Sequence, residues 1–172
     1  GPLPANTREK QAHLRRNPLS SRKDIIRKDE NMIHGVYLNG MTDDISACIK
    51  IRAEVFGRED TGSYNDADEM AMHLLLFDHE NQPVGTVRLH FDLDGDYRFD
   101  YLCIKEADRH KGYADFLMHM LFDKAKQCGA RTVATDFMME KKAYFDQYGF
   151  EEKDGEIVLD LDRYFNSRKC CH

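Results

Sequence analysis

Nothing in this chain is long and apolar enough to cross a bilayer, since no run approaches the roughly 18 residues a spanning helix needs. No apolar segment near the start reads as a signal sequence, so a cytoplasmic protein with no membrane partner is the default expectation. No internal repeat is visible. Cysteine is scarce: the five residues Cys48, Cys103, Cys128, Cys170 and Cys171 are odd in number and irregularly spaced. No pair has the spacing of a zinc site, so reduced thiols and no metal are expected. Nor does any histidine stand as an obvious partner for Cys103, which argues against a cysteine nucleophile.

What is present suits one domain with a real core, in a chain of 172 residues that is 41% hydrophobic. Residues 1–30 hold eight bases against four acids, leaving 17 bases and 27 acids in residues 31–172. The body is therefore near −10. An acidic body excludes a typical nucleic-acid binder; it serves solubility and suits a cationic small substrate. Gly1-Pro2 reads as the remnant of a protease cleavage. The expected organisation is a basic tail over 1–30, a domain over 31–162 and a polar tail over 163–172, with Cys170-Cys171-His172 a frayed end.

The patterning alternates strands and helices. Met32–Leu38 reads as a strand, with Asn39-Gly40 as a turn. Thr42-Asp43-Asp44 reads as a helix start with an N-cap hydroxyl. Ile45, Cys48, Ile49, Arg52 and Val55-Phe56 follow at helical spacing. Gly57–Met70 is polar and acidic, and the stretch Glu59–Glu69 is a candidate rim for recruiting an amine. Ala71–Asp78 is so continuously apolar that both its faces should be covered. Val84–Asp92 and Tyr97–Ile104 complete a meander through an Asp-Gly turn. A helix to about Cys128 follows, capped by Gly129. Then come a strand over Thr132–Phe137, a short helix over Met139–Tyr148 and a last hairpin. The fold class is α+β, a mixed, mainly antiparallel sheet flanked by helices. One parallel, right-handed crossover is expected over residues 97–137. His34 and His73 read as satisfied sheet residues.

The stretch Tyr97–Gly129 carries the chemistry. A strand delivers Arg109-His110-Lys111-Gly112-Tyr113-Ala114 onto a helix N-terminus, where unpartnered amides and the helix dipole favour an anion. Gly112 allows close backbone approach, and Arg109 and Lys111 add positive charge. Phe116, Leu117, Met120, Leu121 and Ala125 mark the apolar face of the helix.

This segment resembles the acetyl-CoA signature of the GNAT superfamily of N-acetyltransferases, Arg/Gln-x-x-Gly-x-Gly/Ala. Ala143–Phe150 resembles the superfamily's short helix ending in Gly-Phe, and Pro83–Leu89 the hairpin strand before the signature. Ile51-Arg52-Ala53-Glu54-Val55-Phe56 with Glu59, then Asp66, Asp68 and His73-Leu74-Leu75, is similar to the ElaA-like branch. The resemblance spans about residues 32–161. It implies a GNAT-type acyl-CoA-binding fold and transfer of an acetyl or other acyl group from acetyl-CoA to a primary amine, directly in a ternary complex. The expected partner is a small-molecule amine acceptor, with polyamine, amino sugar, amino acid, antibiotic and protein terminus all left open, and the expected assembly is a monomer or homodimer.

The resemblance also implies site roles. Backbone of Leu102, Cys103 and Ile104 holds pantetheine and supplies the oxyanion donor; Arg109, His110, Lys111, Gly112, Tyr113 and Ala114 hold the pyrophosphate. The general acid of many relatives is a tyrosine four residues before the Gly of Gly-Phe. Here that residue is Phe145, and Tyr144 lies one earlier, a turn of about 100° on a helix. Tyr144 is the candidate acid, with Tyr148, Tyr113 or unaided departure as alternatives. Asp100 is the candidate base, with Glu54 on the first helix its rival. Alternation places Asp100 with Leu102 and Ile104, unless a bulge blurs the faces. Two other readings remain. One is an acyltransferase similar to acyl-homoserine-lactone synthases, which share the Arg-x-x-Val-Phe, Asp-x-Asp and His-Leu-Leu pattern. The other is a catalytically silent acyl-CoA-binding regulatory module.

Overall fold

A computed structural model describes residues 32–57 and 64–169. The basic extension, Glu59 and Asp60 of the acidic loop, and Cys170-Cys171-His172 lie outside the described residues. The strands are β1 (His34–Asn39), β2 (Ala71–Phe77), β3 (Pro83–His90), β4 (Asp96–Ile104), β5 (Thr132–Asp136), β6 (Glu151–Lys153) and β7 (Glu156–Asp160). The helices are α1 (Ser46–Phe56), α2 (Tyr113–Gln127), α3 (Lys142–Asp146) and α4 (Leu161–Lys169). One seven-stranded sheet runs β1-β2-β3-β4-β5-β7-β6. Every pairing is antiparallel except β4 with β5, the crossover that α2 makes.

Alternation along β2 feeds two cores. Leu74 and Leu76 join α2, α3 and α4 in the larger one, with Leu117, Leu121, Phe122, Phe145 and Tyr164. Leu75 meets Cys48 and Ile51 of α1 on the opposite face. The covering of both faces expected for β2 is thus present. On α2 the buried side is Leu117, Met118, Met120, Leu121, Phe122 and Ala125, whereas Phe116 stands at its exposed margin.

Two local expectations are corrected. Thr42 does not cap α1, which begins at Ser46. The Asn39 side chain accepts the Met41 and Thr42 amides, 2.8 and 3.3 Å away, and so holds that segment as a turn. Asp44 Oδ1 takes the Ser46 amide instead, at 2.9 Å. The polar tail also begins late, because Leu161–Lys169 is a helix that buries Leu161 and Tyr164.

What shapes the site is β4. Thr86 pairs with Cys103 and Arg88 with Asp100, so two steps on β3 meet three on β4. This is a β-bulge, and Tyr101 takes φ +52° within it. The extra residue turns Cys103 onto the face of Asp100, beside Cys48 and Leu75. Leu102 and Ile104 pack into the larger core, whereas Asp100 and Tyr101 both meet Arg88 on the opposite face, so alternation fails at Asp100–Tyr101, where the bulge lies.

Candidate active site

Below the bulge, β4 and β5 pair over only three residues: Asp96 with Thr132, Tyr97 with Val133, Arg98 with Ala134. From Phe99 onward the β5 side of β4 has no ladder partner among the described residues, while β5 goes on pairing with β7 as far as Asp136. The two strands part, and the peptide groups of the upper half of β4 are open to a ligand running alongside. Helix α3 sits at this seam. Phe145 packs on Phe99, with ring centroids 6.1 Å apart, and on Phe150 at 5.3 Å. Phe145 is buried.

The opening leads to the start of α2. His110 (φ +65°) and Gly112 (φ +83°) both adopt left-handed backbone. The first helical bond runs from the Phe116 amide to the Gly112 carbonyl, 3.2 Å. The amides of Tyr113, Ala114 and Asp115 therefore precede the helical ladder and face the N-terminal end. A Cβ added at Gly112 would meet nothing within 4 Å. Residues 109–112 are exposed. Exposed backbone, orphan amides and open space fit a pyrophosphate. Arg109 is partly engaged, its Nε donating to the Ile104 carbonyl at 3.1 Å, which ties the loop to the end of β4. Lys111 lies 3.5 Å from Asp108.

The bulge is held by charges that sequence reading did not connect. Arg52 of α1, 1% exposed, donates to fully buried Asp68 at 2.6 and 3.3 Å. Arg88 of β3 reaches the same carboxylate at 2.8 Å and grips Asp100 with two bonds of 2.8 Å. Both guanidiniums lie over the Tyr101 ring, Cζ to centroid 4.2 and 4.5 Å. Burial works against the Asp68 carboxylate, but Arg52, the Asn65 amide and Arg88 outweigh it and lower its pKa. Asp68 is thus an internal anion, and the idea that it belongs to an amine-recruiting rim is corrected. A signal was available: Arg52 occupies an apolar-periodic position of α1, and a buried guanidinium requires a buried carboxylate.

Asp100 belongs to this network. His90 Nε2 lies 3.1 Å from both its oxygens. Burial opposes ionisation, yet the Arg88 and His90 contacts win and hold the carboxyl at about 2. A carboxylate so acidic is a weak proton acceptor at neutral pH, and its bonds to Arg88 and His90 tie it to the bulge. Glu54 is exposed and lines a groove of about 910 Å³ with Asp43, Asp44, Lys50, Ala53 and Tyr64. None of these belongs to β4 or α3, so the groove's lining does not include Asp100 or Tyr144. Burial pushes the Cys103 thiol up to about 12, which disfavours the reactive thiolate. His73 is buried with Nε2 3.0 Å from the Asp68 carbonyl, and burial keeps it neutral. His34 stacks on Phe77.

Tyr144 turns toward α2. Its hydroxyl is 3.0 Å from that of Tyr148, which donates to Asp115 in the first turn of α2 at 2.5 Å. The phenol of Tyr144 therefore stands beside the candidate phosphate cradle, although Phe145 occupies the sequence position of the usual tyrosine.

A mixed sheet opened at its one parallel seam, beside a helix start fit for pyrophosphate, is the architecture of an acyltransferase that draws on acyl-CoA. The sequence profile described as Acetyltransferase (GNAT) family matches residues 38–150. The chain belongs to that family. Solved structures agree on the fold. An acyl-CoA N-acyltransferase from Pseudomonas aeruginosa is similar with TM-score 0.60 and 19% identity, over 74% of this chain and 97% of that one. The ribosomal-protein-S18-alanine N-acetyltransferase from Escherichia coli gives 0.60 and 15%, over 76% and 94%. Escherichia coli ElaA gives 0.58 and 18%, over 74% and 97%. No curated protein sequence matches. Among the described residues, no helix is long and apolar enough to cross a membrane.

Proposed function

We propose that this chain transfers an acyl group, acetyl in the first instance, from acyl-CoA to a primary amine within a ternary complex. The observation that carries this reading is the parting of β4 and β5 directly beside the left-handed turn at Gly112. A thioester chain laid along Leu102, Cys103 and Ile104 would meet free peptide groups, and its pyrophosphate would meet the amides of Gly112, Tyr113 and Ala114 with Arg109, His110 and Lys111 at the rim. Amides at the bulge supply the donors a tetrahedral oxyanion needs. Tyr144, whose hydroxyl lies 3.0 Å from that of Tyr148, serves in this reading as the proton donor to the departing thiol. Asp100 holds the bulge in shape through Arg88, and the groove beside Glu54 serves the acceptor side, where its carboxylates favour a cationic amine. The motif run from Ile51 to Leu75 supports a place in the ElaA-like branch.

The test is release of free thiol from acetyl-CoA across a panel of polyamines, amino sugars, amino acids and peptide N-termini. Amine-dependent release supports the reading. A second reading, a silent acyl-CoA-binding module, is favoured by one observation, the burial of Phe145 where relatives place the acid. Tight CoA binding with no turnover on the whole panel would select it.

A further inference from the structure

We propose that Tyr148, Asp115 and His119 form a proton path behind Tyr144, with the Asp115 carboxylate setting the direction in which Tyr144 hydrogen-bonds. This rests on the acyl-transfer reading above and extends it. Two pairs spaced four residues apart face one another: Tyr144 and Tyr148 at α3, Asp115 and His119 on α2. The row runs from Tyr144 Oη to Tyr148 Oη at 3.0 Å, then to Asp115 Oδ1 at 2.5 Å. Asp115 Oδ2 lies 3.4 Å from His119 Nε2. His119 Nδ1 is 3.1 Å from the Tyr164 hydroxyl. Tyr148 is buried, whereas the Asp115 and His119 side chains are 50% and 42% exposed, so the row leads from the protein interior to water.

Hydrogen-bond inventory fixes its polarity. An ionised carboxylate only accepts, so the single proton of Tyr148 points to Asp115. Tyr148 Oη is left with lone pairs, and the bond between the tyrosines must be donated by Tyr144. Tyr144 then offers a lone pair to whatever lies in front of it. In this state it can take up a proton but has none aimed at a leaving thiolate. To act as the acid, the row must reverse, and reversal needs a proton on Asp115. His119 in its doubly protonated form supplies it. The thiolate sulfur gains the Tyr144 proton and becomes S–H; Tyr144 takes the Tyr148 proton; Tyr148 takes the one on Asp115. The net change is one proton moved from the His119 imidazolium to sulfur. Burial, then the bonds to Asp115 and Tyr144, raise the Tyr148 phenol, which keeps it protonated between transfers. The other charged or titratable groups facing this cluster are Asp123 of α2 and Tyr164 and Arg168 of α4.

Tyr148→Phe removes one hydroxyl and keeps the ring that packs on Phe122 at 5.4 Å. The experiment measures CoA affinity, melting temperature, kcat, KM and the pH profile of kcat for the full chain and for Tyr144→Phe, Tyr148→Phe, their double variant and His119→Gln. Each single tyrosine variant should lower kcat about a hundredfold or more, the lower range of general acid catalysis, with CoA affinity changed less than about twofold. The double variant should be no slower than the worse single one, because both cut the same path. The path predicts a fall of kcat toward alkaline pH in the unmodified chain that is lost in Tyr148→Phe and His119→Gln. Full kcat in Tyr148→Phe, additive losses in the double variant or an unchanged pH profile would each overturn the path while acyl transfer stands. If Tyr148→Phe does not fold, Asp115→Asn takes its place with the same outcomes expected. An unmodified chain that binds CoA but acylates no amine would overturn the acyl-transfer reading, and the path with it.

Discussion

Replacing Gly112 by alanine separates what the residue does for folding from what it does for the ligand. At φ +83° an L side chain is strained, by roughly 1–2 kcal/mol. No steric clash adds to this, because an added Cβ meets nothing within 4 Å. Gly129, just past the end of α2, gives a matched control: φ is +99° and its surroundings are equally open. The helix between them sets the two about 25 Å apart, from a rise of about 1.5 Å per residue. Both variants should therefore lose similar stability, a fall in melting temperature of roughly 2–8 °C for a chain of this size. Their CoA affinities should differ. In Gly112→Ala the methyl group occupies the open space at the cradle and keeps the pyrophosphate from the amides. Loss of one charge-assisted hydrogen bond, about 1.5–3 kcal/mol, corresponds to a ten- to hundredfold weaker Kd. Gly129→Ala should bind CoA as the unmodified chain does. Calorimetric titration with CoA and a thermal melt on each variant read both quantities. Equal CoA affinity in the two variants would refute the assignment of the cradle.

Three further outcomes follow from the buried charges and thiols. Asp68→Ala leaves the Arg52 and Arg88 guanidiniums facing an empty site, and should cost about 3–5 kcal/mol in urea unfolding; a loss under about 1 kcal/mol would show the network to be dispensable. Asp68 and Asp100 both have lowered folded-state pKa values, so they contribute stability above the ordinary carboxylate range that is lost on acidification. The urea midpoint should therefore fall as pH drops from about 4 toward about 2, and should fall less in Asp100→Asn. Cys48 and Cys103 are buried, with thiols raised to about 11 and about 12, whereas Cys128 is exposed. Mass mapping after brief treatment with a maleimide should find Cys128 modified and Cys103 untouched until the protein is denatured; rapid native labelling of Cys103 would contradict its burial.

The parallel pairing of β4 with β5 and the helix start after Gly112 were legible from the strand–helix–strand order and the glycine ahead of it. Gly112 ahead of an apolar helical run marks a helix start, and the Asp-Gly turn at 94–95 sets the β3–β4 hairpin. The bulge was open to expectation only through the family resemblance, since neither Gly nor Pro marks its position. Tyr101 accepts a positive φ because two guanidiniums, 49 and 13 positions earlier in the chain, lie over its ring. The acidity of Asp100 was hidden for the same reason: it comes from Arg88 and His90 on the neighbouring strand. Thr42 failed as a cap because Asn39, an equally good partner for free amides, lies three residues earlier. Helix α4 was hidden by its polarity, with only Leu161 and Tyr164 buried. The path behind Tyr144 joins two helices far apart in sequence, which no spacing rule links.

Initial-rate kinetics with acetyl-CoA and the best amine of the panel, read as free thiol, tests the central claim most directly. Direct transfer predicts amine-dependent thiol release, one thiol per amide formed, and intersecting double-reciprocal lines. Thiol release that ignores the amine, or parallel lines with an acyl group recovered on the protein, would contradict it.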